Sequence, residues 1–269
     1  MRLGFSYDAA RTRLIERNHF GPLRVQKPLY PESGEICHAI MVHPPGGIVA
    51  GDELTITASV KTGASALITT PGAAKWYKGN DRVSCQDVHL EVGENASLEW
   101  LPQETIFFNA AHARLNQTVS LARGGTYIGC DILCFGRSAS GELFDTGRIR
   151  QNSSIRHDGR VVWVEQGAMA GGSSSMHSPL ALAGRSVFAT LIAVGKALRP
   201  SLVAAVRDDA GSALNTPDLF GATQMKSVLV VRYLGNSSET ARRLMMRAWH
   251  RIRPELTGRE PVTPRVWNT

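Results

Sequence analysis

Polar and apolar residues alternate along much of this chain, and the alternation predicts strands. Leu54, Ile56, Ala58 and Val60 fall on one face of a strand, with Thr55, Thr57 and Ser59 on the other. Val88, Leu90 and Val92 likewise oppose His89 and Glu91, and Leu115, Val119 and Leu121 share a face with Gln117. Further strands are expected around residues 66–70, 96–101, 126–133, 161–165, 187–194 and 227–233. Turn chemistry separates them at Thr62-Gly63, Gly93-Glu94-Asn95, Arg123-Gly124-Gly125 and Asp158-Gly159. Many short strands at this spacing predict a mainly β protein of layered sheets. No internal repeat or heptad pattern stands out.

One segment carries the period of a long helix instead. Ala241, Leu244, Met245, Ala248, Trp249 and Ile252 recur at helical spacing, with Ser237 or Ser238 as cap, Glu239 at the positive end and Pro254 as the expected stop. This stripe has to be buried, and the chain's own sheet is the expected partner. A shorter helix is expected over residues 200–207, because proline suits a first turn. The segment 168–178, with Gly171, Gly172 and four serines, is expected to be a long mobile loop.

Composition narrows the class. Hydrophobic residues make up 43%, enough for a packed core over most of the length. The start of the chain mixes charges and lacks an apolar signal core, and no apolar run is long enough to span a bilayer. A soluble cytoplasmic protein is expected. Cys37, Cys85, Cys130 and Cys134 show no CxxC pairing or disulfide framework and are expected to be reduced, with Cys130 and Cys134, in an apolar run, as buried free thiols. The formal charge is +7, and its one concentration runs through Arg242, Arg243, Arg247, Arg251, Arg253, Arg259 and Arg265, which fits an acidic protein partner.

Motifs exclude more chemistry than they supply. The glycine loop 44–54 lacks the Lys-Ser/Thr of a phosphate loop and carries Asp52 and Glu53 after Gly51, so it repels phosphate. Neither GxGxxG nor a GxSxG elbow is present, and the eight histidines form no HxH or HExxH pair. Cys37-His38 with His43 has poor spacing for zinc. Lys75-Trp76-Tyr77-Lys78 interleaves aromatic and basic residues, a weak nucleic-acid signal. Asp52 in the glycine loop, Asp131 in the apolar run 128–135 and Glu142 after Gly141 are the unusual carboxylates. One flanked by apolar strand residues faces solvent, pairs with an arginine or lines a wet passage. Arg137 is the expected partner for Asp131.

Six blocks together resemble a known family. They are HPPGGIVAGDEL (43–54), LITTPGAAKWYKG (67–79), LPQETIFF (101–108), LCFGR (133–137), GELF (141–144) and LTGREPVTPRVWNT (256–269). In this order they are similar to the UreD family of urease accessory proteins, also called UreH. The resemblance implies one UreD-type domain over residues 1–269, built as a layered β-sandwich or helix-like stack with two helices near the C-terminus. It implies a non-catalytic cytoplasmic scaffold acting with UreF, the GTPase UreG and apo-urease. No tightly bound cofactor is implied, only Ni²⁺ in transit. A conduit must release what it admits, so carboxylates, carbonyls and water suit its lining better than thiolate clusters. Asp52 and Glu142 are the candidates inside matched blocks, Asp131 adjoins one, and Glu35 is a further candidate. The C-terminal stripe and the tail with Trp267 are expected near the UreF contact. The alternatives are a basic β-rich nucleic-acid binder and a hydrolase using Cys130 or Ser174, for which no constellation is complete.

Overall fold

Successive strands cross from one sheet to the other, and the two sheets stack face to face. The computed structural model describes residues 1–32, 34–211, 214 and 218–268, so Thr269 of the last matched block lies outside the described residues. A seven-stranded sheet runs, edge to edge, Arg160–Ala170, Arg148–His157, His112–Leu121, Ser84–Val92, Glu53–Val60, Arg2–Asp8 and Arg11–Asn18. A ten-stranded sheet runs Leu219–Met225, Val228–Gly235, Val187–Val194, Thr126–Phe135, Ser97–Leu101, Ser65–Thr69, Ile36–Val42 and Arg24–Val25. Beside Thr126–Phe135 it adds Thr105–Phe107 and then Ala74–Trp76. The layered β architecture expected from alternation is what the chain builds.

Within each sheet the central strands are parallel. Parallel neighbours need a crossover, and here the facing sheet supplies it. At one end the crossovers are tight turns. Ala64, Ala96 and Gly125 donate N–H bonds to Lys61, Gly93 and Ala122 at 3.0, 3.2 and 2.9 Å, and the third residue of each turn, Gly63, Asn95 or Gly124, has positive φ. The turns also stack, Gly63 N–H on the Glu94 carbonyl and Asn95 N–H on the Arg123 carbonyl. This is a structural repeat where none was expected, because it repeats turn geometry rather than residue identity. At the other end the chain returns through long loops, residues 43–52, 77–83, 108–111 and 136–147 among them.

Covering explains the two sequence textures. The ten-stranded sheet is buried on both faces, by the seven-stranded sheet and by the helices Pro200–Gly211 and Ser238–Thr257. Its strands therefore read as near-continuous apolar runs, such as Ala66-Leu67-Ile68. The seven-stranded sheet keeps one wet face and alternates. Two expectations need correction. Residues 168–178 are not one long loop: the strand runs to Ala170, held by its hairpin partner Arg148–His157, and a short helix follows at Ser174–His177. The long helix continues through Pro254 for one more turn, and Gly258 closes it with an N–H to the Pro254 carbonyl.

The expected stripe on Ser238–Thr257 is buried against the chain's own sheet, and a charge anchors it there. Arg253 is fully buried; its Nε donates to both Glu99 oxygens at 3.0 Å and its Nη2 lies 2.7 Å from Glu32. Trp249 Nε1 donates to Glu99 at 2.6 Å, and His38 lies 2.6 Å from Glu32. Burial raises the Glu32 pKa, but the His38 hydrogen bond and Arg253 outweigh it and hold the carboxyl below its usual range. Removing the cation strands two interior carboxylates. Arg253→Met is expected to cost about 3–5 kcal/mol in urea unfolding at pH 7. A loss under about 1 kcal/mol contradicts this role.

Candidate functional site

The inner faces of the sheets are apolar except along one seam. On the seven-stranded sheet, the row Leu54–Gln86–Leu115–Gln151 is followed by the row Ile56–Val88–Gln117–Ser153. Glu165 lies beside Ser153 on the edge strand. On the ten-stranded sheet, Asp131, Thr190 and Arg232 stand in register on three adjacent strands. Glu165 and Arg232 meet at 2.7 Å and tie the sheets together. A cavity of about 230 Å³ occupies this seam, with Gln86, Gln117, Asp131 and Gln151 among its walls. Gln117, Asp131 and Gln151 also wall a much smaller compartment with Tyr127, Ser153, Glu165 and Thr190.

Asp131 is the chemical centre of the seam. Burial raises its carboxyl from the ordinary 3.8 to about 6, and the neighbouring Glu165 carboxylate adds to the rise. Arg137 does not pair with it, contrary to expectation: that guanidinium bonds Glu142, because the tight turn after Gly136 brings residues 137 and 142 together. Among the described residues, the Asp131 carboxyl has neither a hydrogen-bond partner nor an ion pair, while its backbone is held in the ladder with Thr190. Burial, with the Asp131 charge, pushes the Tyr127 hydroxyl well above its ordinary pKa, and Tyr127 shares the small compartment with Gln117. Thr190 Oγ1 and, nearer the loops, Gln103 Nε2 are buried without a protein partner among the described residues. Of the two, the Thr190 hydroxyl oxygen can accept from the water around a hydrated cation, whereas the Gln103 amide nitrogen is a donor.

The cavity's other end is walled by the long loops, with His43, Gly46, Gly47, Pro71, Gly72 and Lys75. Gly47 is required there, since a Cβ would lie 2.2 Å from the Tyr77 ring. Burial lowers the His43 pKa, with Asp52 opposing, which keeps the imidazole neutral and able to ligate at pH 7. Asp52 closes its own turn by accepting the Val49 N–H at 3.0 Å.

The four sequence candidates therefore do not converge. Asp131 lines the cavity and Asp52 sits in the loop at its mouth. Glu142 is held by Arg137 and by the Asn109 N–H at 2.8 Å. Glu35 lies at the opposite, tight-turn end beside Arg259, 3.3 Å away. Among the described residues, no three His, Cys, Asp or Glu side chains form a metal-holding group. Glu165, Thr190 and the three glutamines escaped sequence reasoning; only Gln117, a polar residue on an otherwise apolar face, left a signal. Cys37 is buried with a thiol raised to about 11 by that burial, while His38 bonds Glu32, so they form no ligand pair. All four cysteines are free, and Cys130 and Cys134 are buried as expected; Cys37 and Cys85 are buried as well. Trp76 is buried in the core rather than offered as a base-stacking platform.

Comparison with known proteins decides the lineage. The family model described as UreD urease accessory protein matches residues 1–268. The chain belongs to the UreD family. A urease accessory protein UreD from Janthinobacterium sp. (strain Marseille) is 61% identical over 269 residues, covering all of this chain and 90% of that protein. Its counterparts from Nitrosospira multiformis and Dechloromonas aromatica are 50% and 44% identical across the whole chain, covering 96% and 93% of their own lengths. UreD membership gives the chain a part in urease maturation. No helix among the described residues is long and apolar enough to cross a membrane.

The raised Asp131 pKa has a stability signature. An acid whose folded pKa exceeds its unfolded value costs stability as pH rises, here from about 4 to about 6. Asp131→Asn is expected to be more stable than the unaltered chain at pH 7.5 by ~2 kcal/mol, two pKa units at about 1.4 kcal/mol each, reduced because the cavity admits water. The gap should close near pH 4. Equal gaps in urea unfolding at both pH values contradict the assignment.

Proposed function

We propose that this UreD-family chain, acting as one unit in the cytoplasm, passes Ni²⁺ through the space between its sheets toward apo-urease, within a complex that includes UreF and the GTPase UreG. It makes and breaks no covalent bond and holds no resident cofactor. The observation that carries this reading is Asp131, an interior carboxylate that faces a cavity and has no ion-pair partner among the described residues. Burying such a charge is expensive unless something positive visits. A divalent cation is the visitor that fits.

The lining supports transit over storage. His43 and Asp52 at the loop end can take a hydrated ion, and the amide oxygens of Gln86, Gln117 and Gln151 can replace its waters singly. Asp131 supplies one full charge, and Glu165 is already shared with Arg232. Several thiolates or imidazoles would grip Ni²⁺ tightly, since it lies high in the divalent order. One carboxylate among amides and hydroxyls allows entry and exit. Glu142 and Glu35 remain candidates for the outer route, each already paired with an arginine. The C-terminal tail, with Trp267 donating to Thr69 at 2.8 Å, is proposed to lie beside the UreF contact. The helix stripe itself is spent on the chain's own sheet.

Co-expression with urease subunits and the other accessory proteins tests the reading. Asp131→Asn should lower the nickel content and specific activity of purified urease at least tenfold while the complex still assembles. Glu91→Ala, an exposed carboxylate on the wet face of Ser84–Val92, should change nickel content less than twofold. Full nickel loading with Asp131→Asn removes Asp131 from the route. Full loading in cells lacking the chain altogether refutes the family role for this protein.

A further inference from the structure

The wet face of the seven-stranded sheet carries a charge arrangement that the passage does not use. His112–Leu121 and Arg148–His157 are parallel neighbours, with Arg114 directly beside Arg150 and His112 beside Arg148. Strand alternation puts Arg114, Arg148 and Arg150 on the same outer face, and all three are exposed. None forms an ion pair or side-chain hydrogen bond among the described residues, whereas many arginines elsewhere, including Arg137, Arg232, Arg242, Arg251, Arg253 and Arg259, are paired with carboxylates. Like charges side by side on adjacent strands destabilise a sheet. Two carboxylates on this face form no ion pair with them: Asp87, diagonal to Arg114 on the neighbouring strand, accepts from Asn116 at 2.7 Å, and Glu53 lies two strands from Arg114. Val83, half exposed, sits at the same corner, next to the loop end of the sheet where the cavity has its mouth.

We propose that this corner, centred on Arg114, Arg148 and Arg150, docks a carboxylate-bearing surface of a protein partner. The inference rests on the assembly proposed above and adds its contact face. Arginine forks take carboxylates in bidentate fashion, and arginine is enriched at interfaces relative to the rest of the surface. The three charges stand on rigid, paired strands, so little order is lost on binding. Complementary charge there would also speed encounter and make association fall with salt. A flat sheet with no exposed aromatic ring at this corner among the described residues suits an acidic protein surface better than single-stranded nucleic acid, which stacks on aromatics.

The test is the affinity of the full-length chain for apo-urease and for the other accessory proteins, measured at two salt concentrations. Arg114→Glu with Arg150→Glu is compared with Arg13→Glu with Arg17→Glu, an equal charge change on the far edge strand Arg11–Asn18. The first pair should weaken one partner at least tenfold and abolish the salt dependence, with unfolding midpoints unchanged; Arg114→Gln with Arg150→Gln should fall between. Equal weakening by both pairs shows a net-charge effect and overturns the proposed face. So does unchanged affinity for every partner, or an effect confined to retention on nucleic acid. If the unaltered chain binds none of these partners, the functional reading fails instead.

Discussion

A strand that crosses to a facing sheet fixes which of its residues look inward, and almost everything in this molecule follows from that constraint. Parallel ladders in both sheets are built at once, one rung per crossing, and each rung is locked by a tight turn that stacks on the next. Register is therefore shared. The row holding Gln86 and Gln151 has to lie beside the row holding Gln117 and Ser153, and both face the row of Asp131, Thr190 and Arg232. A one-residue slip would turn the seam outward and the wet face inward.

The same constraint separates the jobs of the two ends. Tight turns at one end leave little surface to vary. Long loops at the other can carry His43, Asp52 and the glycines that let Tyr77 close over Gly47 without disturbing the rungs beneath. The helical layer then covers the outer face of the ten-stranded sheet. Its buried Arg253 draws together Glu32 and Glu99, which lie far apart in the chain. The proposed metal route thus lies between the sheets, and structural charge pairing sits between sheet and helix.

How much of this was legible depended on which faces a strand buries. Residues 54–60 and 88–92 alternate because one side is wet, and their strands were readable. The helix was readable from its stripe and cap. The strand Arg148–His157 was not, because its inward residues include Gln151 and Ser153: the polar seam itself erases the apolar alternation that marks a strand. Asp131 stood out as a carboxylate in an apolar run. Thr190 did not, since threonine is ordinary in strands, and Glu165 meets its partners only through the fold. Arg137 was assigned to Asp131 on sequence proximity, but alternation along Thr126–Phe135 points Asp131 into the seam, away from the turn where Arg137 meets Glu142. The repeat stayed hidden because Gly63, Asn95 and Gly124 share a backbone conformation and not a residue type.

The central claim is that a divalent cation enters between the sheets and meets Asp131. Paramagnetic broadening of backbone and glutamine side-chain resonances during Ni²⁺ titration addresses it directly. The account predicts loss of the Gln117, Asp131 and Gln151 signals at substoichiometric metal, with those signals retained in Asp131→Asn. Broadening restricted to surface histidines such as His19 and His89, the same in both proteins, would contradict it.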